Sequence, residues 1–228
     1  MLFDLRGRGR RRTVQVIYLS LALLMGGGLV LFGIGGGTNG GLFDAIGGSG
    51  SSSTSTDKVF QDRLAAYERQ LKVNPQSTAA LIGMTKLYFG SASTGENFNQ
   101  TQNAYTAKGL GQLRLASASW ERYLATKPAK PDTGAANVMT QAYGPGGLKQ
   151  FDKAVSSLEI VIASRKETAN LYAQLAILAA GAKQDRKSTL AEKKALDLTP
   201  KAQRKELKSA IDLQKSQLNV EQPTQPSG

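Results

Sequence analysis

The 228-residue sequence contains no histidine and no cysteine. Without histidine there is no imidazole for general-base, relay or metal-ligand roles. Without cysteine there are no thiolate nucleophiles, iron–sulfur ligands, disulfides or lipidated-cysteine anchor. Most familiar catalytic chemistry is closed to such a chain. Aromatic residues make up only 7 %, with a single tryptophan, so broad stacking surfaces are not expected. The Asp and Glu residues are scattered and show no pairing suited to acid–base work. The sequence therefore predicts a protein that is not an enzyme, uses no cofactor, binds no metal and takes no small-molecule substrate.

Positive charge is plentiful. The net charge of +12 divides as +4 from residues 1–13, −1 from Asp44 and +9 from residues 57–228. A field of this sign attracts nucleic acid, anionic lipid or acidic proteins alike, and composition does not choose among them. The sequence also holds 21 consecutive uncharged residues, 14–34, preceded by Arg6, Arg8, Arg10, Arg11 and Arg12. At about 1.5 Å per residue a helix of that length spans roughly 30 Å, the hydrocarbon thickness of a bilayer. The arginine cluster stays on the cytoplasmic side by the positive-inside rule, which puts the remainder outside. The run exceeds the apolar region of a signal peptide and ends in no clear cleavage motif.

These features predict a cytoplasmic basic segment over residues 1–13, a retained transmembrane helix over 14–34 in the cytoplasmic membrane, and an extracytoplasmic domain. Residues 35–56 read as a Gly/Ser-rich linker with an r.m.s. span on the order of 25 Å. One apolar island, residues 42–46, interrupts it. Residues 219–228, with two prolines and few apolar side chains, read as a disordered tail.

Between linker and tail, over residues 57–218, apolar and small residues recur at helical spacing and strand signals are absent, so the domain is expected to be all-α. The segment from Tyr67 through Leu71 to Pro75 aligns with the one from Trp120 through Leu124 to Pro128, an offset of 53. Further copies carry Leu158 with Ile162, then Glu192 with Leu196 and Pro200, at offsets of 38 and 34. The basic period is 34, with an insert over residues 91–109 and a smaller excess at Gly144, Pro145, Gly146 and Gly147. The terminal segment 201–218 has the apolar spacing of a capping helix.

A 34-residue period with an aromatic, a small residue before it and a closing proline resembles the tetratricopeptide repeat. The resemblance implies a solenoid of about three to four helix pairs. Its first helices carry Leu81, Met84 and Tyr88, then Ala136, Met139 and Tyr143, then Tyr172, Leu175 and Ala179. It further implies a concave groove lined by Lys86, Asn137, Gln141, Asn170 and Gln174, whose amides can donate to and accept from a peptide backbone.

The aromatics Tyr67, Tyr88, Trp120, Tyr143 and Tyr172 fall on packing positions, so nucleic acid is not an expected partner. The basic run from Lys183 to Lys208 alternates with acids and reads as a solvated helix face. The functional expectation is a membrane-anchored scaffold that binds other proteins or peptides. Its layout resembles bacterial single-span repeat proteins that accompany the protein-export machinery, and a role in envelope assembly is the second expectation among binding functions. The alternative is a basic surface protein that binds an anionic cell-envelope polymer or lipid.

Overall fold

The computed structural model describes residues 53–220, with side chains over residues 57–218. The basic segment, the transmembrane helix and nearly all of the linker predicted above lie outside the described residues. Among the described residues no helix is long and apolar enough to cross a membrane.

Eight α-helices account for most of this region: α1 Ser53–Val73, α2 Thr78–Ala92, α3 Ala107–Ala125, α4 Thr133–Tyr143, α5 Phe151–Ser164, α6 Ala169–Gly181, α7 Asp185–Asp197 and α8 Arg204–Val220. The all-α expectation holds. Helix α1 starts before residue 57, and α8 runs two residues past the predicted cap. The starts of α2, α3, α4 and α6 follow from side-chain caps: Ser77, Thr106, Asp132 and Thr168 each accept a hydrogen bond from an otherwise orphaned N–H, of Ala80, Gly109, Ala135 and Leu171.

Neighbours in the chain are neighbours in space. Helix α2 packs along α3, α4 along α5 and α6 along α7, and α3 and α5 then pack on the first helix of the next hairpin. Helix α1 rests on α2, and α8 covers α6 and α7. The core is one cluster that includes Leu81, Leu113, Trp120, Met139, Tyr143 and Leu158, each no more than 1 % exposed. Ile211 and Leu218 of α8 complete it at the C-terminal end, 1 % and 7 % exposed.

The 34-residue spacing has a geometric counterpart. Lys149 and Lys183 are 34 residues apart, both precede the second helix of a hairpin, and both adopt the left-handed conformation, with φ of 55° and 57°. The next residues, Gln150 and Gln184, cap α5 and α7 with φ, ψ of −96°, 72° and −94°, 65°. The lysines of two ion pairs follow the same spacing, while their acidic partners are 38 residues apart: Lys153 of α5 meets Glu121 of α3 at 2.6 Å, and Lys187 of α7 meets Glu159 of α5 at 2.7 Å.

One expectation needs correction. The insert contains a short antiparallel hairpin, β1 Phe98–Asn99 with β2 Ala104–Tyr105, where the sequence carries no strand signal. Two residues are too few to show alternation. What holds the hairpin is local: the Phe98 and Tyr105 rings meet edge-on with centroids 5.2 Å apart, and Asn99 Oδ1 accepts from the Gln102 N–H. It is pinned to the start of α3, where a Cβ on Gly109 would lie 2.0 Å from the Asn97 carbonyl oxygen.

Candidate partner-binding surface

Lys86, Asn137, Gln141, Asn170 and Gln174 all sit on the first helices of their hairpins, α2, α4 and α6. Counted from the caps Ser77, Asp132 and Thr168, Lys86 and Gln141 are both nine residues in, Asn137 five, Gln174 six and Asn170 two. At 100° per residue they share a sector about 100° wide. Asn170 is exposed and the other four are half-buried. None of the four amide side chains makes a hydrogen bond to another described residue, so their donors and acceptors remain available for a ligand.

Lys86 is less available. Its ammonium lies 3.0 Å from Asp132 Oδ1, the same oxygen that accepts from the Ala135 N–H at 2.6 Å. Lys86 therefore ties α2 to the mouth of α4, and Asp132 is a part of this surface that the periodicity did not single out. A lysine opposite a capping Asp could have revealed it only with the register of α2 against α4 in hand. That packing brings Lys86 next to the Asn137 and Gln141 helix, whereas α4 and α6 share no extensive packing. Asn170 and Gln174 form a second stretch, beyond α5.

Behind this face a polar network joins three helices. Tyr143 of α4 and Ser117 of α3 share a 2.8 Å hydrogen bond, Ser117 donates to Glu121 at 3.0 Å, and Lys153 of α5 donates to Glu121 at 2.6 Å while its ammonium lies 5.6 Å from the Tyr143 ring centroid. Burial pushes the Tyr143 phenol up to about 12, against the Ser117 hydrogen bond and with help from the Glu121 charge. The hydrogen bond from Lys153 holds the Glu121 carboxyl below its ordinary range.

Two features escaped the sequence reading. Tyr172 is half-buried rather than fully core: its hydroxyl donates to Glu167 at 2.6 Å and Lys194 lies over its ring at 5.7 Å. Tyr172 and Leu175 of α6, with Lys187 and Leu190 of α7, wall an open groove of about 560 Å³. Leu190 is 58 % exposed there. The available signal was a leucine at a second-helix position where solvent was expected. The basic run is solvated, and three of its lysines pair with acids there: Lys187, Lys194 and Lys208 reach Glu159, Glu167 and Glu192 at 2.7, 2.9 and 3.0 Å.

Among the described residues no group of three acidic side chains gathers as a metal cage. Compared with protein-family models, curated proteins and solved structures, the chain matches none.

Proposed function

We propose that this chain is a membrane-anchored protein–protein interaction scaffold whose tetratricopeptide-type helix stack holds partner proteins or peptides at the outer face of the cytoplasmic membrane. It acts by binding and not by catalysis. The observation that supports this most directly is the recurrence, 34 residues apart, of one turn geometry at Lys149 and Lys183 and of the lysines, Lys153 and Lys187, that pair with an acid on the preceding second helix. Repeats that bury their apolar faces only against neighbours produce an extended surface, and such surfaces serve as binding platforms.

The amides of Asn137 and Gln141, with those of Asn170 and Gln174, supply donors and acceptors along that surface for an extended backbone. The five arginines and the uncharged run over residues 14–34 support anchoring and orientation. Partners belonging to protein export or envelope assembly fit this position.

The test is photocrosslinking in native membranes, with the probe placed on the full chain at Gln141, at Gln174 and, as a control, at the exposed Leu213. A protein adduct that forms at Gln141 or Gln174 but not at Leu213 is expected. Equal adducts at all three positions, or none at the first two, would overturn the groove reading.

A further inference from the structure

The turns that link one hairpin to the next lie along one edge of the stack, and that edge is basic. Its continuity is visible in the bonds across it. Tyr123, near the end of α3, accepts from the Asp132 N–H at the start of α4 at 2.8 Å. Thr133, the first residue of α4, donates to Ser164, the last of α5, at 2.9 Å. Glu167, just before α6, meets Lys194 near the end of α7 at 2.9 Å. The turns 126–132, 165–168 and 198–203 are thus held side by side.

Along them stand Lys127, Lys130, Arg165, Lys166, Lys201 and Lys205, all exposed. None has an ion-pair partner among the described residues. Two acids of the same edge, Asp132 and Glu167, are already neutralised by Lys86 and Lys194. Asp197 and Glu206 remain as partial counterweights. On the opposite edge the insert pairs Lys108 with Glu96, and Lys153 and Lys187 are committed to Glu121 and Glu159.

We infer that this edge docks on the anionic headgroups of a phospholipid bilayer, so that the stack stands on the membrane with its hairpin-to-hairpin turns toward the lipid. The inference goes beyond the scaffold reading and rests on its anchoring part. Spread-out lysines and arginines without aromatic companions suit a plane of phosphates and do not suit stacked bases. The 18 residues 35–52 would reach about 60 Å when extended, more than the roughly 30 Å length of a 21-residue helix, so the chain permits this orientation.

The test uses the full chain reconstituted into phosphatidylcholine vesicles with and without one-third phosphatidylglycerol, and reads lysine acylation by mass spectrometry. Lys127, Lys130, Lys166, Lys201 and Lys205 should react about threefold more slowly in the anionic vesicles. Lys183, on the opposite edge, should not change, and 0.5 M salt should remove the difference. The variant carrying Lys127→Glu, Lys130→Glu and Lys201→Glu, with unchanged helicity, should lose the protection. Equal reactivity in the two lipids, equal protection of Lys183, or stronger protection by a short RNA than by vesicles would each overturn the inference. Flotation with phosphatidylcholine alone reads the anchor separately, so failure of the anchor and failure of the edge give different results.

Discussion

Gly181, the last residue of α6, faces the ring of Phe151, the first residue of α5, so closely that a Cβ added there would lie 2.7 Å from Cδ1 and 2.9 Å from Cγ. The same device recurs where α2 meets α1, with a Cβ on Gly83 falling 2.4 Å from Tyr67 Cζ. The two sites differ in what can yield. Phe151 is 7 % exposed and locked in the core, whereas Tyr67 is half-buried and presents the far end of its ring.

Alanine gains about 1 kcal/mol over glycine in a helix interior, and overpacking a fixed ring costs about 1–3 kcal/mol. Gly181→Ala should therefore destabilise by a net of up to about 2 kcal/mol, while Gly83→Ala should fall within about 0.5 kcal/mol of wild type. Urea unfolding of the two variants checks this. Equal losses would mean that Tyr67 is as fixed as Phe151.

How much of this was legible beforehand follows from the same residues. The helices and the core positions of Trp120, Met139 and Tyr143 came from apolar spacing, because burial on one helix face leaves a 3.6-residue signature. The close contacts at Gly83 and Gly181 left no such mark, since a glycine required by a neighbouring ring looks like any other glycine. The Lys86–Asp132 pair, the Glu121–Lys153 pair and the Tyr172–Leu190 groove depend on the register between helices, which one chain's periodicity does not encode. The β1–β2 hairpin is held by a single aromatic pair and was too short to alternate.

Acid should weaken the stack through two carboxylates. Lys153 holds Glu121 below the usual carboxylate value of about 4.3, and Lys215, with help from Lys208, does the same to Glu192. A depressed folded value means that the unfolded chain binds the proton more tightly. The contribution is therefore present above about pH 4.3 and lost as pH falls through the folded values. Glu121 is 49 % exposed, which limits its share to at most about 1 kcal/mol; Glu192 is 16 % exposed and gripped at 2.7 and 3.0 Å, so it carries more. Between pH 6 and pH 3 the urea midpoint should fall, and Glu192→Gln should flatten that fall more than Glu121→Gln.

Alkali should act through Tyr143. Burial raises its phenol to about 12, above the unfolded value of about 10, so its contribution is full below pH 10 and lost as pH rises toward 12. Ultraviolet titration should show one phenolate appearing last, near pH 12, and Tyr143→Phe should remove that step. If the latest step survives in Tyr143→Phe, another tyrosine is the last to ionise.

The final prediction separates stack from surface. Trp120 is 1 % exposed among the core helices, so Trp120→Ala empties a large site and should cost about 3–5 kcal/mol, a large share of a typical domain stability of about 5–15 kcal/mol. Partner capture would then be lost through unfolding, visible as lost helicity. Asn137 and Gln141 make no hydrogen bond to another described residue, so replacing both by alanine orphans nothing inside the fold. The double variant should melt within a few degrees of wild type yet yield less than a third of the crosslinked partner. Capture reduced only in Trp120→Ala, with the amide variant unchanged, would move the binding site away from α4. The next place to look would be the Tyr172, Leu175 and Leu190 groove, where Leu190→Ser alters the wall without touching the core.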